Sequence, residues 1–253
     1  MDGETTISVE ELKRVGISKG LKNIGFVEKD YFQDLILLFI SRNNNRIVFK
    51  GGTSLFKLYD LARFSDDLDF TGNVDENFIY NAKRFLSNFG YESYTKTLDS
   101  RAGTSFNIFI KGPLFNGKPE SQCRIAIDIS NRNDLYLGFQ TRLYESKYNV
   151  FPEFNIFSMD INEILAEKTR ALIIRKKPRD LFDVFFLLRR GINIDYDLIS
   201  KKLSYYNKNF DKEDVMKSIE IIRPVWKKEL KPFVLTELPD IDTVEDYLKD
   251  KFK

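Results

Sequence analysis

Between Lys50 and Phe70 the chain reads KGGTSLFKLYDLARFSDDLDF, and its residue types and spacing suit phosphate chemistry. Gly51 and Gly52, followed by Thr53 and Ser54, stand between an apolar run and an amphipathic stretch. Backbone N–H groups and two hydroxyls can there approach an anion at a helix N-terminus; a plain tight turn would use the same residues. The segment is not a Walker A loop, because Lys50 precedes the glycines and no Gly-Lys-Ser/Thr element follows. Asp67 and Asp69 alternate with Leu68 and Phe70, so on a strand both carboxylates project from one face. Paired charges of this kind hold Mg²⁺ or Mn²⁺ for phosphoryl chemistry, or else mark a solvated strand edge. In the run Arg124–Ile129, isoleucines take one face and leave Asp128 on the other, where it adds a third carboxylate if the two strands are neighbours. Cys123 shares the isoleucine parity and reads as a buried, inert thiol.

The second half carries its own anomalies. Asp160 and Glu163 have the spacing of a capping box. On the helix that follows, Lys168 sits in the apolar stripe of Ile161, Ile164, Leu165 and Leu172, either snorkelling to the rim or reaching a buried anion such as a triphosphate. Arg175 shares that face, while Glu167 and Arg170 read as solvated. Pro178 suits the first turn of another helix, where Asp180 complements the dipole or serves function. Asp183 falls among Val184, Phe185 and Phe186 and requires a cationic partner, for which Lys168, Arg175 and Arg179 are candidates. A structural ion pair is the simpler account of it.

Composition narrows the chemistry. The 253 residues contain no histidine and one cysteine, which excludes imidazole-dependent hydrolases and nucleases, disulfides within the chain and cysteine-based zinc sites. Any metal is therefore oxygen-bound and hard. With 40 Lys+Arg against 38 Asp+Glu, a net charge of +2 does not argue polyanion binding from the global field. The first residues lack a signal-peptide h-region, and no run has the length of a membrane span. We expect a soluble, cytoplasmic protein without membrane partners.

The elements that must position these residues follow from periodicity. We expect short polar helices over the first 25 residues, a helix from Lys29 to Arg42 ending in the turn Asn43-Asn44-Asn45, a buried strand at Ile47–Phe49 and a helix from Thr53. Strands at Asp67–Phe70, Tyr91–Leu98, Thr104–Lys111 and Arg124–Ser130 follow, with a helix Asp75–Asn88 between the first two. Gly112–Gln122 reads as a loop, and from Asp160 only helices are expected. This order is α+β, with a mixed sheet and a helical C-terminal region, divided near residues 145–158 into 1–150 and 151–253.

Taken together, KGGTSLFKLY, RFSDDLDF and AEKTRALIIRKKPRDLFD, preceded by EKDYFQDLILL, resemble the AbiEii/AbiGii toxin-type nucleotidyltransferases, which include the MenT toxins and belong to the DNA polymerase β-like superfamily. The likeness runs from about Glu28 to Arg190. It implies a nucleotidyltransferase core with N-terminal helices and a helical C-terminal domain closing the nucleotide cleft. It implies a toxin of a toxin–antitoxin or abortive-infection system that moves a nucleotide from an NTP, with Mg²⁺ or Mn²⁺, to an RNA such as the tRNA 3′ end, and that has a cognate antitoxin. Residue by residue, Gly51, Gly52, Thr53 and Ser54 match the phosphate-binding motif, and Ser65, Asp67 and Asp69 the Ser-x-Asp-x-Asp element. Lys168 matches the family lysine, and Asp180 and Asp183 the Arg-Asp-x-x-Asp block. On this reading Asp67, Asp69, Lys168 and Asp183 are catalytic. The nucleotide is bound by Gly51, Gly52, Thr53, Ser54, Ser65, Arg175 and Asp180, and the metal by Asp67, Asp69 and Asp128. Asp66 matches no family acid. Arg175, Lys176, Lys177 and Arg179 form a basic segment for RNA. The same residues would serve a kinase-like phosphotransfer to protein, and a non-catalytic nucleotide or RNA binder on the same scaffold is the alternative from another class.

Overall fold

A computed structural model describes residues 6–43, 47–98, 103–132 and 134–253; Asn44 and Asn45 of the expected turn lie outside them. In chain order the elements are α1 (Val9–Ser18), α2 (Ile24–Arg42), β1 (Val48–Lys50), α3 (Gly51–Tyr59), β2 (Asp67–Thr71), α4 (Phe78–Asn88), β3 (Ser93–Leu98), β4 (Gly103–Ile110), β5 (Cys123–Ser130), β6 (Phe139–Tyr144) and β7 (Phe154–Met159). The helices α5 (Ile161–Arg175), α6 (Pro178–Arg189), α7 (Tyr196–Ser204), α8 (Lys212–Ile222), α9 (Trp226–Leu230) and α10 (Ile241–Lys251) follow.

The strands form one seven-stranded sheet in the order β3-β4-β5-β2-β1-β7-β6. It is mixed, as expected: β2 runs parallel to β5 and β1 to β7, whereas β1–β2, β3–β4 and β4–β5 are antiparallel. The polar β6 and β7 were not expected from periodicity. The chain forms two compact units, one of Met1–Tyr59, Phe64–Asn133 and Phe139–Ser158, the other of Asp60–Arg63, Asp134–Gly138 and Met159–Lys253. Ser158 of β7 falls in the first because it pairs with Phe49 of β1.

In the first unit the even-numbered side chains of β5 face one side and Ile125, Ile127 and Ile129 are buried on the other, where α2 packs on β5 and α4 on β3. Helix α2 is buried nearly all round, so its polar residues must be paired internally. Lys57 of α3 supplies the pairing. Its Nζ reaches Asp30 and Asp34, and Lys19 reaches the other oxygen of Asp30 at 2.6 Å. Tyr144 and Tyr148 donate to Asp34 and Asp30 at 2.8 and 2.9 Å. Burial alone would raise the Asp30 carboxyl, but Lys57 and Lys19 outweigh it and hold it at about 2. The cluster locks α3, and with it the glycine turn, onto α2. Cys123 is buried, and burial pushes its thiol up, in keeping with an inert role.

In the second unit α5 packs on α6, α7 and α8, and α10 lies on α6. Lys176 closes α5 in the left-handed region at φ 51°. Pro178 opens α6, and Gly191 follows its end at φ 80°. Among the described residues no helix is long and apolar enough to cross a membrane.

Candidate active site

The expected residues fall into two sets, one on each unit. In the first, β1 ends at Lys50 and α3 begins at once with Gly51, whose φ of +78° only glycine adopts without strain. A second constraint acts at the same residue. A Cβ there would collide with the Asp69 carboxylate, whose Cβ and Cγ would lie 2.9 Å away. The turn and the acid are therefore in direct contact.

The hydroxyls do not behave as expected of phosphate ligands. Thr53 and Ser54 are buried, and Thr53 donates to the Asp67 carbonyl and Ser54 to the Gly51 carbonyl at 2.9 Å. Thr53 thereby ties α3 to β2, and the turn is left with its backbone N–H groups for an anion. Ser65 is also buried, with its carbonyl accepting from Gln33 at 2.9 Å. Asp66 pairs with Lys29 at 3.7 Å.

Strand register brings the acids together. Asp69 is the partner of Lys50 on β1 and of Asp128 on β5, and Asp67 is the partner of Ala126. Paired residues of neighbouring strands share a face, so Asp67, Asp69 and Asp128 all stand on the face opposite the isoleucines. Asp128 accepts from Ser105, its partner on β4. Desolvation first, and then the Asp67 charge, push the Asp128 carboxyl above the usual carboxylate range. That mutual repulsion is what a divalent cation relieves, and the all-oxygen donor set suits Mg²⁺ or Mn²⁺. Among the described residues no group of three or more His, Cys, Asp or Glu is arranged to hold one metal ion. Asp128 feels the Asp67 charge, while Asp69 shares their face and lies against Gly51.

In the second set Asp183 is 0% exposed. Arg63 grips it through two nitrogens, at 2.8 and 2.6 Å, and Lys168 Nζ lies 2.7 Å from it. Burial alone would raise its carboxyl, but Arg63 and then Lys168 outweigh it and hold it below the usual value. Lys168 is also 3.6 Å from Asp180, which Arg175 contacts at 2.9 Å. Arg175 itself is 57% exposed.

Sequence reasoning missed Arg63. Its signal was an arginine inside the apolar run Leu61–Phe64, which demands a buried anion as firmly as Asp183 demands a cation. Glu163 does not complete a capping box: it is buried, accepts from the Tyr136 and Leu137 backbone at 2.8 and 2.7 Å and pairs with Lys202 at 2.6 Å. Glu167, expected in solvent, is buried beside the same Lys202 at 3.3 Å.

The family described as "Nucleotidyl transferase AbiEii toxin, Type IV TA system" matches residues 36–250. Similar solved structures include MenT4, a nucleotidyltransferase toxin from Mycobacterium tuberculosis, at TM-score 0.68 and 18% identity, covering 97% of this chain and 88% of that one. JHP933 from Helicobacter pylori is similar at TM-score 0.61 and 18% identity over 90% of each chain. A further H. pylori protein, titled a putative nucleotidyltransferase, matches at TM-score 0.60 and 19% identity over 88% of this chain and 91% of its own. No curated protein sequence matches.

Proposed function

The chain belongs to the AbiEii nucleotidyl transferase toxin family of type IV toxin–antitoxin systems, and from that premise we propose that it transfers a nucleotide from an NTP to the 3′ end of an RNA such as tRNA, with Mg²⁺ or Mn²⁺, in the cytoplasm and under the control of a cognate antitoxin. The observation that carries the reading is the contact between Gly51 and Asp69. An anion-binding turn with a carboxylate against it repels a bare phosphate and accepts one that arrives with its cation, which is how a nucleoside triphosphate travels.

Asp67, Asp69 and Asp128 would supply carboxylate oxygens to divalent metal, though not all three to one ion, and that metal when bound favours ionisation of the acceptor hydroxyl and offsets charge on the departing pyrophosphate. Backbone N–H groups at Gly51 and Gly52 bind the phosphates at the start of α3. Ser105 orients Asp128, and Thr53 holds α3 against the Asp67 backbone. Lys168 and Arg175, which the family likeness assigns to the nucleotide, are each held by a buried carboxylate. Asp183 is a positioning residue in this reading, since Arg63 and Lys168 take up its oxygens.

The test incubates the protein with Mg²⁺ and NTPs labelled at the α- or γ-phosphate, together with total tRNA or a protein lysate. Nucleotidyl transfer leaves the α-label on RNA and releases the γ-label as pyrophosphate. Label retained from the γ-position points to phosphotransfer, α-label on protein alone excludes the RNA acceptor, and no label in any combination leaves a non-catalytic binder.

A further inference from the structure

The face of the first unit that carries the acids continues beyond them. Register lines up Asp67, Ala126, Asn107 and Lys96 across β2, β5, β4 and β3, and beside that row Arg124, Phe109 and Tyr94 across β5, β4 and β3. The Tyr94 and Phe109 rings are stacked, with centroids 4.8 Å apart and planes within 7°. Lys96 Nζ lies 5.4 Å from the Phe109 ring. Tyr94 is 39% exposed, and Lys96 and Arg124 are exposed as well.

Asn107 is different. It is only 7% exposed, yet its Oδ1 is buried without a hydrogen-bond partner. An orphaned amide oxygen is costly unless something satisfies it. A cross-strand aromatic pair can simply stabilise a sheet, and a lysine on an edge strand can simply discourage sheet extension. Neither explains an unsatisfied amide between the acids and the aromatic pair, nor a cation on the interior strand β5.

We propose that this open face of β3, β4 and β5 seats the acceptor: a single-stranded RNA 3′ end whose terminal base stacks on the Tyr94–Phe109 pair, whose phosphates are neutralised by Lys96 and Arg124, and whose base edge donates to Asn107 once that amide turns its buried oxygen outward. The inference rests on the nucleotidyl-transfer reading for its direction. Transfer forms a bond from the acceptor oxygen to the α-phosphorus, breaks the bond to the bridging oxygen, and releases pyrophosphate and a proton to solvent. Attacking and leaving oxygens stand roughly in line. With the phosphates at the Gly51 turn, the leaving group departs on the β1 side of the acids, so the acceptor enters from β5. At a strand spacing of about 4.8 Å, Asn107 lies about 10 Å from the Asp67 backbone and Lys96 about 14 Å. A terminal nucleoside with its hydroxyl at the acids spans that ground. Aromatic rings between cations suit single-stranded nucleic acid, because every base has a stacking face.

The experiment measures binding of a fluorescent single-stranded RNA with a free 3′ hydroxyl to the full-length protein without NTP, and separately of a non-hydrolysable NTP, for the wild type, Tyr94→Ala and Lys96→Glu. Melting temperatures check that both surface variants fold. We expect Tyr94→Ala to raise the Kd for RNA about tenfold through the missing stacking partner, Lys96→Glu to weaken RNA binding and flatten its salt dependence, and NTP binding to stay unchanged in both. Wild-type RNA binding that neither variant disturbs overturns the proposal. NTP binding with no RNA binding overturns it too, while sparing nucleotidyl transfer to another acceptor. Variant-sensitive RNA binding in a protein that transfers no α-label supports the seat and sinks the transferase reading.

Discussion

Burial first, and then the Asp67 charge across the β2–β5 pairing, push the Asp128 carboxyl up, and the second of these means that each carboxylate costs the other stability whenever no cation stands between them. Asp67→Asn should therefore abolish nucleotide transfer while leaving the metal-free protein as stable as before or more so. Retention of more than about a tenth of the wild-type rate, roughly 1.4 kcal/mol in barrier, would count against metal ligation by Asp67. Asp183 has the opposite electrostatics. Its carboxyl is depressed in the folded state, so the unfolded chain takes up the proton first as pH falls. The stability it contributes is full above the ordinary value of 3.8 and is lost as pH drops through the lower folded value. At neutral pH, Asp183→Asn leaves Arg63 and Lys168 facing an uncharged amide and should cost about 3–5 kcal/mol. Urea unfolding across pH would show that deficit shrinking towards acid, and a constant difference would mean that the charge is not what matters. Lys168→Met keeps the stem and removes the ammonium. A raised KM or lowered kcat in a folded variant identifies a nucleotide contact, whereas reduced stability with normal kinetics identifies a partner for Asp183 alone.

At the scale of the element, the junction of β1 and α3 carries two constraints at one residue. Gly51→Ala must place a side chain in the left-handed region, at about 1–2 kcal/mol, and must also push the Asp69 carboxylate aside. Activity should fall further than thermal stability, and a variant with normal turnover would show that the contact is incidental. Lys57 presents the contrasting case of an element held in place from behind. Lys57→Met would leave Asp30 and Asp34 buried without their shared cation, at about 3–5 kcal/mol, and should lower the melting temperature well before any effect on nucleotide binding at fixed folded fraction. This network was hidden in the sequence, where Asp30, Asp34 and Lys57 pass for the polar faces of two amphipathic helices. The strands that carry the acids were legible because Leu68 and Phe70, and Ile125 to Ile129, alternate cleanly with polar residues. β6 and β7 were not, because β6 is a polar edge strand with no buried face to impose a period, and β7 breaks its alternation where Phe157 follows Ile156 and the polar Ser158 takes a buried position.

For the molecule as a whole, 40 basic and 38 acidic side chains nearly cancel, so affinity for a polyanion must come from local groups rather than the overall field. Lys176 and Lys177, both exposed between α5 and α6, are the test of the basic segment in the second unit. Their joint reversal to glutamate should weaken transfer to RNA and reduce the log–log salt slope by roughly 0.7–0.9 for each phosphate that is no longer neutralised. An unchanged slope would remove that segment from the RNA-binding surface.

The sequence alone determined the chemistry that was admissible and much of the scaffold. Without histidine, and with a single cysteine, metal and acid–base work fall to oxygen ligands and lysine, and the alternation of Asp67, Asp69 and Asp128 with apolar neighbours put each carboxylate on the solvent side of a strand. Residue type and local period suffice for that. Only the tertiary structure decided that β2 and β5 are parallel neighbours, that Thr53 and Ser54 spend their hydroxyls on the backbone, that Asp183 is held by Arg63 and that Asn107 is left with an unmet acceptor. Each of these depends on which segments distant in the chain become adjacent, and burying a charge or an amide has consequences only once its neighbours are in place.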